Sequence, residues 1–196
     1  MFEKLLDLDR QLFLFLNGLG SETYDGFWVQ ITRHYTWTPV FLLLLFLIYK
    51  KIGGKQTLIL LLFVAALIAF SDQITNLFKS HFHRLRPCSN PNLKGLMRIV
   101  EVRDSFGFFS AHAATSMAVS TFLFSLMRRY YRYFWLLFLW PLIFGFSRIY
   151  LGLHYPSDVF CGYIFGAISG LLMFKLYKFL QQKYFPSQIS QHPTDR

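Results

Sequence analysis

The sequence predicts an all-α integral membrane helical bundle, with about five transmembrane helices behind an N-terminal interfacial helix. Two observations predict it. Of 196 residues, 54% are hydrophobic and 20% aromatic, while only 15% are charged. That mixture is too apolar for an ordinary soluble domain. The apolar residues also come in blocks with short basic turns between them, rather than mixed evenly.

Residues 1–34 read as an interfacial helix and its lead-in. Glu3 to Leu16 mixes acids and bases while Leu5, Leu6, Leu12, Phe13 and Leu16 share one helical face. That pattern suits a helix lying in the membrane interface or packed against the bundle. It does not suit a secretory leader, because Glu3, Asp7 and Asp9 interrupt it and the apolar piece Leu12 to Leu16 is short. Residues 35–180 form the membrane domain. Spanning takes roughly 20 apolar residues, and the candidates are Tyr35 to Tyr49, Thr57 to Phe78, Ala111 to Met127, Phe134 to Tyr150 and Val159 to Tyr177. On the last of them, Gly162, Gly166 and Gly170 make a ridge of small residues for close helix packing, within the bundle or in a weak homodimer. Residues 181–196 read as a polar tail.

The connections alternate in character. Lys50 to Lys55 and Arg128 to Arg132 are short basic turns without acids, and with Lys175, Lys178 and Lys183 they mark one membrane face. The longest loop, Pro87 to Phe109, lies on the other. The 20 Lys and Arg divide evenly between the two faces. Once Lys79, Arg86 and Arg148 are set aside as functional, the basic turns become the cytoplasmic face. The net charge of +10 does not point to nucleic acid, because the basic residues flank apolar runs and suit anionic headgroups instead. Cys88 in a loop and Cys161 in an apolar stretch predict neither a disulfide nor a metal-ligand spacing.

Threading the spans gathers three short segments on the loop-bearing face: Lys79 through Arg86 and Pro87; Phe109-Ser110-Ala111-His112; and Ser147-Arg148 with His154 and Asp158. They supply three cations, two histidines and a carboxylate, an inventory for gripping, attacking and releasing a phosphate on a membrane lipid. The spacings Lys-x6-Arg-Pro, Ser-x-His before a span and Ser-Arg-x5-His-x3-Asp resemble the three signature motifs of the type-2 phosphatidic acid phosphatase and vanadium haloperoxidase superfamily. The resemblance runs from about Asp72 to Gly170. It departs at one point, since the family usually reads Pro-Ser-Gly-His where this chain has Phe109-Ser110-Ala111-His112.

The resemblance implies a bacterial inner-membrane, multi-pass enzyme with its site facing the periplasm, hydrolysing a lipid phosphate or diphosphate without metal or cofactor. Among family substrates, undecaprenyl diphosphate ranks first. His154 is the implied nucleophile, giving a phosphohistidine. Asp158 would hold its tautomer, and His112 would protonate the leaving group. Arg86 and Arg148 offer planar forks for phosphate oxygens and Lys79 a point charge. Ser110, with the Ala111 and His112 amides at a helix start, adds further donors. Helical spacing also puts Asp72 and Asn76 on one face with Lys79, either as supports for that cation or a neighbouring guanidinium, or with Asp72 as a solvated carboxylate near the interface. Tyr155 before Pro156 is pushed from helical torsions, which leaves His154 in a loop and Asp158 in the first turn of a helix. Arg84, His34, His81 and His83 read as interfacial side chains. A phosphotransferase with the same site is the nearest alternative; a vanadate-dependent peroxidase or a lipid transporter is further off.

Overall fold

The computed structural model describes residues 2–184, so most of the tail expected at 181–196 lies outside the described residues. Helix α1 is Phe2–Gly18, α2 Glu22–Ile31, α3 Thr38–Phe82, α4 Ala111–Met127, α5 Leu139–Tyr150 and α6 Pro156–Tyr184. Residues 181–184 continue α6 rather than opening a tail.

The long α3 contains two of the expected spans. Gly53 breaks it at φ 75°, ψ 169°, torsions that only glycine adopts freely. Side chains before the break (Phe41, Leu44, Ile48) and after it (Leu60, Val64, Ile68) line one cavity, so the chain doubles back there. The richest apolar window of His34–Leu93 has mean hydropathy 2.2 yet is only 22% buried, and that of Pro156–Tyr184 has 1.8 and 28%. Side chains so apolar and so exposed need an apolar solvent, and both segments are long enough to cross a bilayer. The fourth expected span is shorter than its hydropathy suggests. A 3-10 turn occupies Phe134–Phe138, and α5 then runs only about 18 Å. Pro141 is tolerated in its first turn, where backbone N–H groups have no helical partner.

Helix α4 forms the axis of the bundle and packs chiefly on α6. The glycine ridge makes that contact. A Cβ on Gly162 would lie 2.8 Å from the Ser110 carbonyl oxygen, one on Gly166 2.3 Å from that of Ala114, and one on Gly170 2.4 Å from that of Ala118. The ridge is therefore spent inside the bundle. Because the opposing atoms are backbone, Gly166→Ala should destabilise the protein by about 1–3 kcal/mol, read as earlier unfolding in detergent. Unchanged stability would return the ridge to the surface.

The N-terminal segment is two helices, not one helix and a lead-in. Phe13 and Asn17 of α1 are fully buried, while Leu5, Leu8, Leu12 and Phe15 stay exposed. The Asn17 amide donates to the carbonyls of Arg98 (3.1 Å) and Tyr150 (2.9 Å), and its oxygen accepts the Arg98 N–H (2.8 Å). This one side chain ties α1 to both the long loop and the end of α5.

Candidate active site

Helix α5 ends on a reversal that only glycine permits. Gly152 has φ 81°, and a Cβ there would lie 2.7 Å from Met97 Cε and 3.2 Å from the Arg98 carbonyl oxygen. The turn lets the Arg148 carbonyl accept both the Leu153 N–H (3.0 Å) and the His154 N–H (3.2 Å). Arg148 and His154 are thereby locked side by side, and each is about 1% exposed.

The His154 ring has two distinct faces. Arg86 Nη1 lies 3.0 Å from Nε2. A guanidinium can only donate, so Nε2 carries the lone pair and Nδ1 the proton. Nδ1 points to Asp158 Oδ2 at 3.6 Å, too far for a hydrogen bond. Burial, with Arg86, Arg148 and Lys79 around it, holds the imidazole pKa well below its ordinary 6.5. The ring is neutral, with its lone pair turned toward a cation.

That cation is pinned on every nitrogen. Arg86 Nε donates to the Ser105 carbonyl (2.7 Å), Nη2 to Ser105 Oγ (3.0 Å) and Nη1 also to the Leu153 carbonyl (3.1 Å). Arg148 Nη1 donates to Thr32 Oγ1, while its buried Nε has no partner among the described residues. Lys79, in the last turn of α3, lines a cavity of about 580 Å³ with Asn76, His83, Asp104, Ser105 and Phe106. It makes no ion pair among the described residues. Three cations, one holding an unused buried donor, suit an anion rather than a metal ion.

The second segment joins through the backbone. The Ser110 N–H donates to the Asp158 carbonyl (3.0 Å), so the start of α4 abuts the start of α6. Ser110 caps α4, its Oγ accepting the Ala113 N–H at 3.4 Å. The Ala111 and His112 amides are then the unpaired donors of the first turn. His112 rests on Phe144, one turn before Arg148, with ring centroids 5.0 Å apart. Asp72 accepts from Thr115 Oγ1 on α4 at 3.4 Å; Asn76 and Lys79 line the same cavity, which Ser105, the partner of Arg86, also borders.

The sequence model of the PAP2 superfamily matches residues 56–182, the stretch that contains all three segments. The chain belongs to the PAP2 superfamily. It is 37% identical over 179 residues to the lipid A 4'-phosphatase of Bacteroides thetaiotaomicron, covering 89% of this chain and 79% of that one. It is 28% identical over 169 residues to an undecaprenyl-diphosphatase of Sulfolobus acidocaldarius, covering 84% and 76%. The crystal structure of Aquifex aeolicus LpxE superposes with a TM-score of 0.66 at 24% identity, over 86% of this chain and 95% of that one, which establishes a common fold.

Several side chains at this PAP2 site are not among the fixed positions of the three motifs. Arg84, expected at the interface, is instead turned inward, with Nη1 2.6 Å from Asp158 Oδ1 and Nη2 2.7 Å from Asp9 Oδ2. A carboxylate buried as completely as Asp158 draws the nearest cation, which overrides snorkelling. His34 is likewise no plain interfacial ring: it stacks on His112 at 5.6 Å and 17°. His83 does stay outside, as the left-handed cap of α3 at φ 48°. Asp9, Thr32 and His34 precede the matched span, and Ser105 lies in the long loop. No motif spacing marks any of them; only their partners do.

Proposed function

We propose that this PAP2 membrane phosphatase removes a phosphate monoester from a lipid A-type glycolipid through a phosphohistidine on His154. One observation carries the mechanism: Arg86 Nη1 on His154 Nε2, which leaves a neutral nucleophile inside a cationic cradle. Nε2 would attack phosphorus in line while Arg86, Arg148, Lys79 and the first amides of α4 take up charge on the equatorial oxygens. The bond to the leaving sugar oxygen breaks, and that oxygen takes a proton from His112. Asp158, facing Nδ1, stabilises the cationic phosphoimidazole. Water, deprotonated by His112, then attacks phosphorus. The N–P bond breaks, inorganic phosphate leaves and His154 returns neutral.

The substrate ranking shifts from undecaprenyl diphosphate. The higher identity to a relative named for lipid A 4'-phosphate supports a glycolipid monoester. A cavity of about 290 Å³ between the two halves of α3 and helices α4 and α5 fits a lipid tail. It is lined by Leu44, Ile48, Leu60 and Val64 and reaches His34 and His112 at its polar end. Read as five crossings, with α3 supplying two, the chain would carry the site at one membrane surface, and the basic turns favour the periplasmic one. Asp72, which accepts from Thr115 on α4, and Asn76 would support Lys79 from the same helix through charge and dipole rather than by direct contact. With the glycine ridge occupied internally, a monomer suffices.

Purified protein in detergent, with divalent cations chelated, should release inorganic phosphate from lipid A at least tenfold faster, by kcat/KM, than from undecaprenyl diphosphate, phosphatidylglycerol phosphate or phosphatidic acid. Acid quench should trap a phosphoenzyme. Preference for the diphosphate would overturn the substrate, and label passing to a lipid acceptor instead of water would make the enzyme a transferase.

A further inference from the structure

One oxygen of Asp158 faces His154; the other is held by a residue that is no fixed position of the motifs. Oδ2 accepts the Tyr155 N–H at 2.9 Å and faces His154. Oδ1 takes Arg84 Nη1 at 2.6 Å. Arg84 is itself fixed on four sides. Nη1 also donates to Ser157 Oγ (2.8 Å), Nη2 donates to Asp9 Oδ2 (2.7 Å), and the guanidinium lies 4.4 Å over the Tyr155 ring. Its own carbonyl accepts the Gly107 N–H at 2.8 Å.

Asp9 closes the arrangement. Its Oδ1 accepts the Ser157 N–H at 2.9 Å, and its Oδ2 accepts Ser157 Oγ. Ser157 is the second residue of α6, whose N–H has no helical partner. Asp158, in the third position, reaches back to the Tyr155 N–H before the helix, as a capping acid does. Asp9 therefore caps α6 from another helix, and the helix so capped is the one that carries Asp158.

We infer that Arg84, anchored by Asp9 of the N-terminal helix, is a positioning residue that orients Asp158 toward His154, so that α1 forms part of the catalytic apparatus. The inference rests on the phosphohistidine reading only for its kinetic consequence. Arg84 touches neither the attacking nitrogen nor the cradle. It acts through Asp158: with one oxygen held by a cation, the carboxylate keeps the other facing Nδ1, 3.6 Å away. The geometry also gives Asp9, a carboxylate largely sheltered against α6, the cationic partner that such a group needs.

The test compares Arg84→Gln, Arg84→Lys, Asp9→Asn and the double variant Asp9→Asn/Arg84→Gln, using whichever lipid phosphate the wild type turns over. Arg84→Gln should lower kcat by about 10–100-fold, the usual cost of losing a supporting partner, with KM within about threefold. Arg84→Lys should recover most of that loss. Asp9→Asn keeps a cap oxygen for Ser157 and should lose about 3–10-fold. The double variant should be no worse than Arg84→Gln alone, because both act through one path. Selective 15N labelling of histidine gives a reading independent of turnover: the His154 Nδ1–H signal, assigned by its absence in His154→Gln, should move in Arg84→Gln as the facing carboxylate is released, while Arg86 keeps Nε2 unprotonated in both. Unchanged kcat with an unchanged Nδ1–H signal would overturn the inference. So would a loss that follows melting temperature alone and is not relieved by lysine. If wild type releases no phosphate from any lipid, the functional reading fails, and the Nδ1–H signal still decides the role of Arg84.

Discussion

His154→Gln should reduce phosphate release by about 10⁴-fold or more, the scale on which enzymes lose a covalent nucleophile, and no phosphoenzyme should be trapped. Glutamine approximates the volume of imidazole and can still accept from Arg86, so the fully buried pocket need not collapse. The loss is then chemical and should leave the melting temperature within a few degrees of wild type. Residual activity above 1% would mean that water attacks the lipid phosphate directly. The same ring sets a pH response. Burial, Arg86, Arg148 and Lys79 keep its pKa well below 6.5 when folded, while the unfolded chain takes up that proton below about 6.5. The unfolded state thus binds more protons in acid, and the His154 contribution to stability falls as pH drops through 6.5. By the same sign, the nucleophile stays competent below 6.5 in the folded enzyme. The acid limb of kcat/KM that belongs to His154 should lie beneath that value, and a His154 limb at 6.5 would contradict the packing seen here.

Much of the bundle was legible because its determinants are local. Ala111–Met127 agrees with the expected span at both ends, since Ser110 supplies an N-cap and the basic run from Arg128 closes it. Pro156 starts α6 for reasons internal to the tripeptide around it. The reversal at Gly53 and the shortness of α5 were less visible, because hydropathy counts apolar residues without reporting the axis along which they run. At the site, His154, Arg148, Arg86 and Asp158 do assemble from distant segments. Arg84, Asp9, Thr32, His34 and Ser105 were read otherwise or not singled out. Each is defined by a partner more than 15 residues away in the chain, and composition favours the surface for such residues in isolation. Arg84 shows the failure most plainly. Two residues before a motif arginine, it looks like one more headgroup contact until Asp158 is seen to be buried with an oxygen to satisfy.

Arg148 provides the second large effect, and its geometry separates it from Arg86. All the nitrogens of Arg86 already have protein partners, whereas Arg148 keeps a buried Nε with none among the described residues. An unpaired donor inside a folded protein costs free energy, and an incoming phosphate oxygen removes that cost at the moment charge builds on phosphorus. Arg148→Lys should therefore lower kcat by about 10³-fold, within the range for losing a cation that stabilises phosphoryl transfer. Lysine restores a charge but not a planar fork able to serve Thr32 and a phosphate oxygen together. Orthovanadate, a phosphate-shaped anion, should inhibit the variant at least tenfold more weakly than wild type. Thr32→Val removes the anchor and spares the cation, so it should show the same loss in smaller measure, about tenfold in kcat. Equal inhibition of wild type and Arg148→Lys by vanadate would place the anion elsewhere in the cradle, against Lys79 and Arg86 alone.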